Sequence, residues 1–116
     1  MNTKIAIIGL GYVGLPLARL FSTKYPTIGF DLNPERIQML TSGHDDTQEV
    51  GSSSLQHALH NGLQLTCQME DLKACNVFVV AVPTPVDQNN HPDLNPLQKA
   101  SEIVGKVISK GDVVIY

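Results

Sequence analysis

Short apolar runs alternate along this chain with longer stretches in which apolar residues recur at helical spacing. The runs at 4–8, 27–31, 63–66, 77–82 and 112–116 predict strands, and strands separated by helical segments are the pattern of a parallel sheet. Ile5-Ala6-Ile7-Ile8 and Val77-Phe78-Val79-Val80-Ala81-Val82 are apolar at every position, so both faces of these strands should be covered. Between the first two strands, Val13, Leu17, Leu20 and Phe21 follow an i, i+4, i+7, i+8 spacing, which predicts a helix over about 12–24 with this face on the sheet. Pro16 conflicts with that helix unless it starts late or bends, because proline lacks an amide donor and its ring crowds the preceding turn.

Asn33-Pro34 pairs an N-cap with proline at the first helical position, predicting a second helix that turns Ile37 and Leu40 inward and stops at Gly43. The polar, Gly/Ser-rich stretch 42–54 reads as a surface loop leading into a short helix at about 55–59, ended by Asn61-Gly62. Three prolines in the polar segment 83–93 exclude helix and central strand and predict a long loop at a strand's carboxyl end. A last helix over about 95–109 should bury Leu97, Ala100, Ile103, Val104 and Val107, with Lys110-Gly111 closing it at the carbonyl end of its dipole. The chain shows no internal repeat, low-complexity tract or second domain.

Composition narrows the class. With 116 residues, 42% hydrophobic and 16% charged, the chain suits one soluble globular domain. Aromatic residues are only 5%, so aliphatic side chains must form the core. A net charge of -3 leaves no basic footprint for nucleic acid or anionic lipid. No apolar run approaches the roughly 18 residues that span a bilayer, and the amino terminus enters a strand directly without a signal-peptide core, so a cytoplasmic protein is expected. Cys67 and Cys75 stand eight apart, neither a redox pair nor half of a zinc framework; reduced, partly buried thiols without chemistry are expected.

Candidate chemistry begins where the first strand ends. Gly9-Leu10-Gly11-Tyr12-Val13-Gly14 fits GxGxxG, and its position between a buried strand and an amphipathic helix makes it a dinucleotide fingerprint. Gly9 permits the tight turn, Gly11 lets the backbone approach a pyrophosphate, and Gly14 lets the helix pack on the strand, while the positive helix end faces the phosphates. Asp31 follows Gly9 by 22 residues, the spacing of a ribose-binding acid that accepts from the hydroxyls and repels a 2′-phosphate; the alternative is a cap on the turn into Asn33-Pro34. Arg36 has three readings: an edge of the adenosine pocket, favoured because Asp31 stands beside it, a 2′-phosphate ligand admitting NADP, or a solvated helix residue. These readings imply an α/β fold of the Rossmann type, a doubly wound parallel sheet of five strands in the order 3-2-1-4-5 with helices on both faces, and NAD as cofactor.

With these pieces in place the chain resembles the amino-terminal domain of the UDP-glucose/GDP-mannose dehydrogenase family over nearly its full length. The resemblance is carried by 4–18, by Gly29-Phe30-Asp31, Arg36-Ile37, Leu40 and Gly43, and by Val82-Pro83-Thr84-Pro85. Tyr-Val-Gly-Leu-Pro at 12–16 is more specific than the glycines and explains Pro16 as a family feature of this helix. Asp46-Thr47-Gln48-Glu49-Val50, Thr84-Pro85-Val86-Asp87, Pro92-Asp93-Leu94 and Pro96-Leu97 look most like the branch that oxidises UDP-N-acetylhexosamines for bacterial surface polysaccharides. The resemblance implies cofactor contacts from Tyr12 and Val13 at the pyrophosphate, Asp31 and Arg36 at the adenosine, and Pro83 and Thr84 near the nicotinamide. For Thr84 the switch-point rule of open α/β sheets agrees, against a hydroxyl that merely serves its turn. It further implies a UDP-sugar substrate, a homodimer or larger assembly, and a cysteine farther along that takes the sugar's C6 as a thiohemiacetal while two hydrides pass to two NAD molecules. Neither Cys67 nor Cys75 falls at that position, so no catalytic residue is assigned within 1–116, and the chain is expected to be the cofactor part of a longer, truncated protein that is silent by itself.

Other residues carry less. His57 and His60 at i, i+3 lack a matching carboxylate or cysteine and read as surface histidines, so no metal is expected. His44-Asp45-Asp46 reads as a solvated loop, and His91 as a loop residue. Met1, Met39 and Met69 read as start, helix and loop residues. Two rival functions remain: a dinucleotide-sensing regulatory module without turnover, against which the 12–16 and 82–85 stretches argue, and a related β-hydroxyacid dehydrogenase with a different fourth-strand loop.

Overall fold

The computed structural model describes residues 2–86 and 88–116; Met1, and Asp87 of the Thr84–Asp87 resemblance, lie outside the described residues. In chain order the elements are β1 (Ile5–Ile8), α1 (Gly14–Phe21), β2 (Thr27–Phe30), α2 (Pro34–Thr41), α3 (Ser52–His60), β3 (Gln64–Thr66), a 3-10 helix (Met69–Ala74), β4 (Val77–Val80), α4 (Asn95–Val107) and β5 (Val113–Ile115). The strands form one parallel sheet in the order β3-β2-β1-β4-β5, as the sequence predicts. Ile5 of β1 stands in register with Thr27 of β2 and Val77 of β4, which places the carboxyl ends of the three central strands side by side.

Alternation along each strand divides the core in two. Ala6, Ile8, Ile28, Phe30, Phe78 and Val80 pack on one face against Leu72 of the 3-10 helix and Ala100, Val104 and Val107 of α4. Ile5 and Ile7 pack on the other against Leu15 and Ala18 of α1, Leu40 of α2 and Leu55 of α3. Each large side chain fully withdrawn from water here contributes about 1.5–3 kcal/mol.

Several expectations need correction. α1 starts at Gly14 with Val13 as its N-cap, so Pro16 sits in the first turn, where its missing amide would have no intrahelical acceptor anyway. Starting there turns Gly14, Leu15 and Ala18 inward; of the expected face Leu17 and Phe21 pack half-buried against this core, whereas Val13 and Leu20 are 62% and 53% exposed. α3 begins at Ser52, three residues before the expected start. The 3-10 helix has no counterpart in the sequence reading, and Met69 opens it instead of lying in a loop. Its entry is set by Thr66, whose hydroxyl donates to Asp71 and accepts from the Gln68 amide. β4 ends at Val80 and α4 at Val107, both two residues short. The described residues of the proline-rich loop are in neither helix nor central strand, and Val86 and Pro92 form an isolated antiparallel bridge.

Candidate cofactor site

The carboxyl ends of β1, β2 and β4 open onto a cleft of about 300 Å³. Gly9, Leu10 and Gly11 form its floor, Phe30, Asp31 and Leu32 one side, Val82 and Pro83 the other, and Pro96, Ala100 and Ile103 of α4 an apolar wall. A larger polar cleft, about 560 Å³ between the end of α1 and α3, lies away from the glycine turn.

The three glycines of the turn differ in what requires them. Gly9 has φ +102°, and a Cβ there would lie 3.0 Å from the Ala81 carbonyl oxygen. A Cβ on Gly14 would stand 1.6 Å from the Gly9 carbonyl oxygen, so only glycine lets α1 rest on the turn. A Cβ on Gly11 would meet nothing within 4 Å. The chain's own packing therefore demands glycine at 9 and 14 but not at 11, which borders the cleft. Above it, Val13 begins α1 without a side-chain cap; the Leu15 amide donates to the Gly11 carbonyl at 3.2 Å and Pro16 has no amide, so the Val13 and Gly14 amides are the ones open to an outside acceptor.

Asp31 binds the turn to the end of β2. Its Oδ2 accepts from the Leu10 amide and its Oδ1 from the Asn33 amide, both at 3.0 Å. It thus does cap the step into α2, where Asn33 in turn accepts from the Glu35 amide. Each carboxylate oxygen keeps a further lone pair, and Asp31 borders the cleft.

Arg36 is not a solvated helix residue, since its side chain is 11% exposed. Its Nε and Nη2 donate to the Leu10 carbonyl at 3.0 and 2.7 Å. Its Nη1 stands 2.7 Å from Asp46 Oδ1 and 3.0 Å from Asp45 Oδ1. Nor is 44–46 simply a solvated loop: His44 and Asp46 are exposed, but Asp45 is 4% exposed. Burial pushes the Asp45 carboxyl up, but donation from the Thr47 hydroxyl, the Val50 and Thr47 amides and Arg36 outweighs it and holds the pKa at about 2. Sequence reasoning missed Asp45 because an acid in a polar stretch looks like any solvated acid. The available signal was Asp45 followed by Thr47 two residues on, the spacing of a turn closed by the side chain. It also missed the α4 wall as site, although Pro96, Ala100 and Ile103 share one helical face.

The remaining candidates are not gathered in the cleft: of them only Pro83 lines it. Tyr12 and Val13 are exposed at the start of α1. Pro83 lines the cleft, and Thr84 is exposed one residue beyond it. His57, His60 and His91 are exposed, and no cluster of metal-ligating side chains occurs among the described residues. Cys75 is buried, which pushes its thiol up to about 11, so it is protonated and inert at neutral pH; Cys67 is a free, partly buried cysteine.

Comparison with known proteins supplies the family. Residues 3–116 match the model of the UDP-glucose/GDP-mannose dehydrogenase family, NAD binding domain. The chain is 53% identical over 115 residues to the UDP-N-acetyl-D-glucosamine 6-dehydrogenase of Pseudomonas aeruginosa, covering 99% of this chain and 27% of that protein. The structure of a UDP-D-ManNAc dehydrogenase from Pyrococcus horikoshii superposes with a TM-score of 0.89 at 35% identity, covering 97% of this chain and 27% of that one. An (S)-3-hydroxybutyryl-CoA dehydrogenase from Ralstonia eutropha, at 16% identity and a TM-score of 0.65 over 98% of this chain and 40% of that one, shares the fold alone. The chain spans about a quarter of the length of the curated relatives it matches. It belongs to the UDP-glucose/GDP-mannose dehydrogenase family, of which it is an NAD-binding domain.

Proposed function

We propose that residues 1–116 form a single domain that supplies the cofactor half of a UDP-N-acetylhexosamine 6-dehydrogenase, a UDP-sugar to UDP-uronic acid oxidoreductase of polysaccharide biosynthesis. The observation that carries the cofactor geometry is Gly11, a glycine that borders the cleft and that the chain's own packing does not require. A dinucleotide pyrophosphate crossing that point would accept from the free amides of α1 beside Tyr12, Val13 and Gly14. Asp31 would hold the adenosine ribose through its remaining lone pairs, with Arg36 behind it, and Pro83 and Thr84 would flank the nicotinamide side. NAD, when bound, accepts a hydride from the carbon being oxidised. This chain's residues would orient the cofactor, and neither cysteine is a nucleophile in the cleft: Cys75 is buried and protonated, and Cys67 lies beyond β3, outside the cleft.

The sugar pocket and reacting groups belong, on this reading, to the three quarters of the relatives' length that this chain does not span. The parent would be a cytoplasmic homodimer or larger assembly acting on a UDP-sugar. Two free thiols support the cytoplasmic setting, and among the described residues no helix is long and apolar enough to cross a membrane.

Calorimetric titration with NAD and NADP tests the cofactor geometry. NAD should bind more tightly, and Asp31→Ser should narrow the difference; equal affinity of the unsubstituted chain for both would remove the role given to Asp31. For the activity, the chain is incubated with NAD and a panel of UDP-sugars while NADH absorbance is followed. Silence is expected from this chain and NADH from its longer parent, and sustained NADH from residues 1–116 would overturn the division of labour.

A further inference from the structure

Leu10 is gripped on both sides of its peptide. Its amide donates to Asp31 Oδ2 at 3.0 Å, and its carbonyl accepts from Arg36 at 2.7 and 3.0 Å. One residue of the glycine turn therefore separates the carboxylate at the cleft from a guanidinium. An arginine in this neighbourhood is the group that pairs bidentately with the 2′-phosphate of NADP. Here its outer nitrogen is already occupied, 2.7 Å from Asp46 and 3.0 Å from Asp45. Two carboxylates facing one guanidinium leave that edge net negative, which repels a phosphate dianion.

We propose that Asp45 and Asp46 are cofactor-selectivity residues: by pairing with Arg36 they withhold its guanidinium from a 2′-phosphate and convert it into a strut for the glycine turn. The inference rests on the dinucleotide reading above and adds to it residues that lie outside the cleft. The two acids divide the work. Asp45, with its side chain fully buried, accepts from the Thr47 amide and hydroxyl and the Val50 amide, so it fixes the loop 45–50 against α2 and is itself immobile. Asp46 has a side chain 58% exposed and Arg36 as its partner, so it completes the neutralisation from the solvent side. Selectivity on this account comes from two layers: Asp31 offers the wrong charge to a 2′-phosphate, and the Asp45–Asp46 pair removes the right one.

The test separates release of Arg36 from mere loss of negative charge. NAD and NADP are titrated by calorimetry into the unsubstituted chain and into Asp46→Asn, Arg36→Met and the double variant. Asp46→Asn leaves the buried Asp45 network intact, so it should fold, and it should raise the NADP-to-NAD affinity ratio by about fivefold, the scale of a partly freed arginine–phosphate contact. In the Arg36→Met background the same substitution should change the ratio by less than about twofold, within the reach of a screened surface charge. Asp45→Asn combined with Asp46→Asn should give the larger gain, with a cooperative thermal transition checked by circular dichroism first. An unchanged ratio in Asp46→Asn, or a gain that persists without Arg36, overturns the proposal while the NAD reading stands. If the unsubstituted chain binds neither dinucleotide, both fall together.

Discussion

Ile5 and Ile7 of β1 are 4% and 0% exposed, whereas Val113 and Ile115 of β5 are 51% and 49% exposed. These residues occupy the same two rows of the sheet, joined through Val77 and Val79 of β4, and point to the same face. α1, α2 and α3 close that face over β1 and β2, but no described helix reaches across it to β5. On the opposite face α4 and the 3-10 helix seal Phe78, with Val114 packed beside it. Fully apolar β4 is accordingly buried at Phe78 and Val80 and only half-buried at Val77 and Val79, which corrects the expectation of two covered faces. The glycine turn, Asp31 and Arg36 all belong to the closed β1–β2 half. The proposed cofactor site, which depends on backbone amides held in place, thus lies on the half of the sheet that helices cover on both faces.

The largest effect should come from the sealed face. Phe78→Ala removes a fully buried ring and is expected to cost about 3–5 kcal/mol in urea-monitored unfolding. A cost near that of a surface substitution would mean that the α4 side is loosely packed and the contrast between faces is false. Acid should loosen the β1–β2 half next. Asp45 is held from 3.8 down to about 2 in the folded chain, so its contribution is complete above about pH 4 and drains as pH falls towards 2. The loss should be roughly 2 kcal/mol across that window, and Asp45→Asn should flatten the pH dependence of unfolding there. An identical acid limb in both proteins would show that Asp45 is not the group responsible.

Gly11→Ala sharpens the distinction between packing and binding. Its Cβ has open space, so stability should move by less than about 0.5 kcal/mol, while NAD affinity measured by calorimetry should fall more than about tenfold, or 1.4 kcal/mol. Loss of cooperative unfolding with normal NAD binding in the folded fraction would make this glycine structural instead. The smallest effect belongs to the bare edge: Ile115→Ala should cost under about 1 kcal/mol because half of that side chain is already in water. If it cost as much as Phe78→Ala, something would have to cover β5, and the comparison would collapse.

Periodicity along the chain was sufficient for a parallel sheet, residue types for the cap at Asn33-Pro34 and the place of the glycine turn, and the dinucleotide fingerprint for the strand order. The cap and the turn depend on residues within one or two turns of each other, and parallel pairing follows from strands that must be linked by helices. Even Pro16, which looked out of place, marks where α1 starts. Exposure of Val113 and Ile115 was not legible, because a strand's pattern records that it can be buried and not which helices reach it. Nor was the role of Asp45. Leu10, Asp31, Arg36 and Asp45 meet only after β1, β2, α2 and the loop beyond it have packed, and each in isolation reads as an ordinary apolar, acidic or basic residue. Types and spacings that act through local backbone geometry are written in the sequence. Which charges neutralise one another around Arg36 is decided by tertiary packing, since the energy of an ion pair depends on distance and burial that no local pattern specifies.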